Sequence, residues 1–197
     1  MNKAIIAAAL FAAAGVASAQ DYSLTGFQTY DYNKSNSGQP FASQHDGRMG
    51  IKGEIKNGPT VDFAGILGTA VQNHSDMFYG YEGGIGYTMR PSVFEITPRL
   101  GAGMLYDIST GIPGVWDDAG FYTAGVAIDV VQNTTVNPFA NYKFRDGFSK
   151  GIGKSHLYQV GVSVALTDDL SVRVGLDHLR QGQLTMNGAT AGIQYKF

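Results

Sequence analysis

The chain of 197 residues contains no cysteine. Disulfides are therefore excluded as a source of stability. Charge is scarce. Asp, Glu, Lys and Arg make up 15% of the chain, against about 25% in ordinary globular domains. The formal net charge is only −2, which argues against a general nucleic-acid surface. After Val16 there is no apolar run of about 18 residues, which excludes a transmembrane helix. Tryptophan is limited to Trp116. Glycine, by contrast, supplies 27 residues, roughly double the usual share. Tyr and Phe supply 11 each.

The first residues read as an export signal. Met1-Asn2-Lys3 carries a positive charge, Ala4 to Val16 is apolar and uncharged, and Ala17-Ser18-Ala19 is a small-residue cleavage pattern. Cleavage is expected between Ala19 and Gln20. Residues 20–197 then form one domain, a length that suits a single fold. An exported chain, poor in charge and rich in Gly and aromatics, has one way into a membrane without a spanning helix. That way is a closed β-barrel, in which every backbone group finds a partner.

Strict two-residue alternation runs through the chain. In "TAGIQYKF" (190–197), Ala191, Ile193, Tyr195 and Phe197 are apolar, with polar residues or Gly between them. In 48–56, Met49, Ile51 and Ile55 alternate with Arg48, Lys52, Glu54 and Lys56. In 94–106, Phe94, Ile96, Leu100, Met104 and Tyr106 oppose Glu95, Thr97 and Arg99. Similar patterns occupy 60–71, 79–87, 122–130, 136–145, 156–166 and 170–178. A weaker one includes Leu24, Gly26, Tyr30 and Tyr32. Period two is the signature of strands. Ten antiparallel up-and-down strands are expected, or eight if the weak first strand and the last hairpin are discounted. Short turns alternate with longer loops, except for a short final link near Gln181-Gly182. This is the outer-membrane barrel pattern.

Hairpin register is a second expectation. A two-residue turn at Arg90-Pro91 would set Glu82 directly opposite Arg99. A turn over Asn57–Pro59 would put Asp62 diagonal to Lys52 and Lys56. A turn around Asp168 would set Asp177 opposite Gln159 and His178 opposite Tyr158. Facing residues share a sheet face, and polar meets polar each time.

Alternation alone also fits a soluble lipocalin-like barrel with its apolar face inward. Three features favour apolar-out. The polar face is thin and rich in Gly, Thr, Asn and Ser, which suits a crowded interior. Aromatics gather at both strand ends, as in interfacial girdles. The sequence stops on Phe197. With these features the chain resembles the small bacterial outer-membrane β-barrels, the broad OmpA/OmpX-like group. The resemblance implies that Phe197, Tyr195 and Ile193, with Ala191, are the tag read by the barrel-assembly machinery. It also implies an outer-membrane location and contact with outer-membrane lipids and lipopolysaccharide; because a single chain closes the barrel, a monomer is expected.

The expected lumen charges are Arg48, Lys52, Glu54, Lys56, Asp62, Glu82, Glu95, Arg99, Asp129, Lys143, Arg145, Arg173 and Asp177. A barrel of eight to ten strands has an interior just wide enough for side chains to fill. Those charges then form either a plugging network or a narrow channel for small polar solutes. A structural or surface-interaction role follows from the first. An enzyme acting on envelope lipids is a third class. His74-Ser75, Ser155-His156 and Asp177-His178 are adjacent pairs, so their members point to opposite faces and offer no nucleophile–base contact. No cofactor and no metal site is expected. His45, His74, His156 and His178 lie near the loop end without a ligand set. Arg145, Lys150, Lys154 and Arg180 could meet lipopolysaccharide phosphates there.

Overall fold

A computed structural model describes residues 21–25, 43–54, 58–71, 75–107, 119–132, 135–148, 153–181 and 184–196. The expected signal and cleavage positions Ala19 and Gln20, the terminal Phe197, and Lys56, His74, Trp116 and Lys150 fall outside them.

Ten strands lie within these residues: β1 Asp21–Thr25, β2 Ser43–Glu54, β3 Pro59–Val71, β4 Ser75–Tyr87, β5 Phe94–Asp107, β6 Ala119–Val130, β7 Val136–Gly147, β8 Ser155–Ala165, β9 Leu170–Gln181 and β10 Leu184–Lys196. Each pairs antiparallel with its sequence neighbours, and β1 pairs with both β2 and β10. β1 thereby closes the barrel, through five pairs with β2 and three with β10. From β2 onward the strands hold 11 to 14 residues, enough for the 9–11 or so that a tilted strand needs to cross a bilayer.

The register fixes which phase faces in. Glu82 stands opposite Ala64 on one side and Gly103 on the other, and Gly103 stands opposite Phe121. All of these point inward, and Glu82 and Phe121 are fully buried. The other phase carries Ile85, Leu100, Val160 and Leu176, which are about two-thirds exposed. An apolar outer wall around a polar interior is the arrangement of a barrel set in lipid.

Glycine abundance has a steric cause. Large inward side chains each face a glycine across the ladder: Leu105 and Gly80, Phe121 and Gly103, Lys143 and Gly125, Phe139 and Gly161. A Cβ on Gly161 would lie 2.6 Å from the Gly175 Cα and 2.8 Å from the Phe139 Cζ, and would also press on the Val174 carbonyl. Backbone cannot yield as a flexible side chain does. Gly161→Ala should therefore destabilise the barrel by about 1–3 kcal/mol in urea unfolding. Gly153→Ala, where a Cβ meets nothing within 4 Å, should leave the midpoint in place.

Two turns differ from expectation. Between β4 and β5 the turn sits two residues later. Phe94 N–H donates to the Pro91 carbonyl at 3.2 Å, and Ser92 takes the positive φ of 59°. Pro91 is thus the first residue of a turn around Ser92-Val93. Arg99 stands opposite Gly86, not opposite Glu82. Between β2 and β3, Gly58 has a φ of 124° and its carbonyl accepts from Thr88 N–H at 2.5 Å. The pairing of β2 with β3 sets Lys52 directly opposite Asp62, not diagonal to it. Both shifts preserve parity, so no side chain changes face. The β8–β9 register sets Asp177 opposite Gln159 and His178 opposite Tyr158.

Candidate functional site

The interior is layered. At its centre Glu82 on β4 accepts from three cations. Arg48 Nη1 on β2 donates at 3.1 Å, Arg99 Nη1 on β5 at 2.6 Å and Lys143 Nζ on β7 at 2.5 Å. The Thr123 hydroxyl on β6 adds a fourth bond at 3.1 Å. Arg99 also grips Asp62 on β3 as a fork, with Nε donating at 2.6 Å and Nη2 bonding the second carboxylate oxygen. Six consecutive strands contribute to this node.

Distance around the wall shows why the node crosses the lumen. Neighbouring strands lie about 4.8 Å apart, so β4 and β7 are separated by roughly 14 Å along the wall. The Lys143–Glu82 pair spans this as a chord through the interior. Arg173 on β9 and Asp129 on β6 form a second chord, closing at 2.8 Å. Arg99 reaches Glu82 although the two are not opposed in register. Its guanidinium lies over Gly84, where a Cβ would come within 2.6 Å.

The remaining expected lumen residues occupy distinct places. Glu54 and Glu95 join Arg90 at the short-turn end, at 2.5 and 2.9 Å. Their triad is more exposed than the central node. Hydrogen bonding to Glu54 raises the Arg90 guanidinium above its already high value. Exposed pairs contribute little, and Arg90→Ala should change stability by no more than about 1 kcal/mol, with the difference shrinking in high salt. Lys52 points inward opposite Asp62. Arg145 lies over the Phe121 ring at 5.7 Å, inside the barrel and away from outer lipid. Asp177 accepts from Gln159 Nε2 at 3.0 Å, and Gln159 accepts from Asn141 Nδ2 at 3.4 Å. Ile193 and Tyr195 are outward and exposed.

Sequence reasoning missed an apolar layer. Above Glu82, towards the longer loops, Ile66, Leu105, Ala119 and Phe121 pack inside the barrel with Phe78 against them. Phe139 is also inward, with Arg173 over its ring at 4.1 Å. All these apolar residues occupy the phase otherwise read as polar. The signal that could have found them is the glycine opposite Leu105, Phe121 and Phe139.

Ser155 is buried and inward, whereas His156 points outward and bonds the Tyr142 hydroxyl at 3.0 Å. Asp177 is inward and His178 is outward, 2.8 Å from Asn187 Oδ1. Among the described residues no cluster of three or more His, Asp or Glu could hold a metal ion.

No family profile and no curated protein sequence matches the chain. Solved structures do. The β domain of the Bordetella autotransporter BrkA is 12% identical with a TM-score of 0.53, over 91% of this chain and 99% of that one. The transport unit of the autotransporter AIDA-I from Escherichia coli is 14% identical with a TM-score of 0.52, over 90% of each chain. The translocator domain of NalP from Neisseria meningitidis is 10% identical with a TM-score of 0.52, over 99% of this chain and 98% of that one. At such identity the likeness speaks to fold alone. That fold is the antiparallel, up-and-down barrel of outer-membrane proteins.

Proposed function

We propose that this chain resides in a bacterial outer membrane as a monomeric barrel with a lumen closed by its own side chains. Its role is then structural, or exerted at its surface, with the longer loops outside and the short turns in the periplasm. The observation that carries this reading is the convergence of Arg48, Arg99 and Lys143 on Glu82 beneath an apolar layer. Charges taken out of water need partners, and here they find one another across the bore. Outer-membrane lipids and lipopolysaccharide would bathe the apolar wall. The barrel-assembly machinery would read the Ile193, Tyr195, Phe197 terminus. No catalytic step belongs to this reading, because the Ser155-His156 and Asp177-His178 pairs divide between the two faces.

A narrow polar passage is the second reading. It is favoured by the residual exposure of Arg48, Arg99, Lys143 and Arg173 side chains, each about one-fifth accessible. Vesicle swelling separates the two. Vesicles carrying the refolded protein should shrink in arabinose or glycine and stay shrunken. Rapid reswelling would establish a solute path and overturn the closed-lumen reading.

A further inference from the structure

The outward face of β8 and β9 breaks the pattern of the wall. Strand cations elsewhere point in: Arg48, Lys52, Arg99, Lys143, Arg145 and Arg173 all lie on the lumen phase. Arg180 is the one strand cation on the outward phase among the residues whose side chains are described. It is exposed, and its guanidinium has no ion-pair partner among the described residues.

Its surroundings form a graded column. Reading from the middle of the wall towards the loop end, successive outward cross-strand pairs are Val160 with Leu176, Tyr158 with His178, and His156 with Arg180. The column therefore runs from aliphatic through aromatic to cationic. The matching column on β4 and β5 runs Ile85 with Leu100, Gly83 with Ala102, Tyr81 with Met104 and Tyr79 with Tyr106. That one stays apolar and aromatic to its top. The β6–β7 column ends on Tyr122 with Asp146, an acid and not a cation.

We propose that the β8–β9 wall holds the phosphate of an anionic membrane-lipid headgroup against Arg180, with His156 as a second donor and the lipid's acyl chains along Val160 and Leu176. The inference rests on the outer-membrane reading above. Its chemistry is direct. The planar guanidinium presents paired N–H donors that match phosphate oxygens. The Tyr142 hydroxyl lies 3.0 Å from His156 Nδ1. A hydroxyl that donates there leaves the ring proton on Nε2, pointing away from Tyr142. The Tyr142 and Tyr158 rings, 5.1 Å apart, form the apolar shelf between headgroup and chains. Among the described residues no acid lies on the outward phase of β8, β9 or β10; the outward carboxylate of neighbouring β7, Asp146, is engaged from the other side, by the Tyr122 hydroxyl on β6 at 3.1 Å.

Native mass spectrometry of the refolded protein in dodecyl maltoside, with bis-phosphorylated lipid A as the probe, tests this. Heat-modifiable migration comes first. A chain that does not fold into a heat-modifiable barrel refutes the barrel reading itself. With folded protein, one lipid A should be retained, and phosphatidylcholine should not. Arg180→Ala should weaken retention about tenfold or more, as loss of a charge-assisted pair does. Arg180→Gln keeps the stem and amide donors without the charge, and should also weaken it. Arg90→Ala, a cation at the other end, should bind as the native chain does. Equal retention by both Arg180 variants would overturn the proposal. So would retention of phosphatidylcholine, or displacement of the lipid by inorganic phosphate, which would indicate a plain anion site.

Discussion

Replacing Glu82 by glutamine is expected to destabilise the folded barrel by about 3–5 kcal/mol, the cost of breaking a buried ion pair by removing one partner. The substitution keeps shape and removes charge. Arg48, Arg99 and Lys143 would then face one another with no carboxylate between them, and Glu82 is 1% exposed. Water cannot easily take its place. Asp62→Asn should cost less, because the Asp62 side chain is 20% exposed and Arg99 keeps its bond to Glu82. Adding Lys143→Met to Glu82→Gln should restore part of the loss, since it removes one stranded charge and fills the space with an apolar chain. Urea unfolding of the protein refolded into vesicles reads all three variants. A loss below about 1 kcal/mol for Glu82→Gln would place the node among solvated surface pairs.

Phe121→Ala is expected to have a similar effect, about 3–5 kcal/mol. The ring is 0% exposed. It packs with Ile66, Leu105 and Ala119 and rests against Gly103, where a Cβ would come within 2.5 Å of its edge. Truncation leaves a cavity that the rigid wall cannot collapse to fill, and it removes the surface beneath Arg145. Phe148→Ala is the natural control. Phe148 is 69% exposed, and its loss should cost well under 1 kcal/mol or so, as surface changes do. The Glu82 and Phe121 effects should not add, because the two residues flank Gly103 across the ladder and share a neighbourhood. If the two Phe variants unfolded at the same urea concentration, the apolar layer would contribute nothing to stability.

Much of the architecture was legible in the sequence because period two is nearly a direct readout of a barrel wall. Strands β3 to β10 fall within a few residues of their expected bounds, and the lumen phase of each is the expected one. The β8–β9 pairing was legible because Thr167-Asp168-Asp169 offers few other places to turn. The β4–β5 turn was not. Proline punctuates turns, which drew the expectation to Arg90-Pro91, although that turn would put Pro91 at its third position, where proline is disfavoured. The chain turns later because Ser92, without β-branching, can take a positive φ. The Glu82–Arg99 contact survives by another route, along the floor that Gly84 leaves open. Arg90 was read only as a turn residue, so its pairing with Glu54 and Glu95 went unseen. The inward Phe121 and Phe139 were hidden for a different reason. Alternation sorts apolar from polar, and it gives no way to recognise an aromatic that belongs inside until its glycine partner across the ladder is known.

A closed lumen is most directly tested by planar-bilayer conductance of the refolded chain, once heat-modifiable migration has established folding. The native protein should be electrically silent. Discrete steps should appear when Arg99→Ala and Phe121→Ala are combined, because one change loosens the central node and the other removes the apolar layer above it. Reproducible steps from the native protein that shift when Arg99 or Glu82 is replaced would contradict the closed lumen and identify the charged interior as a conducting path.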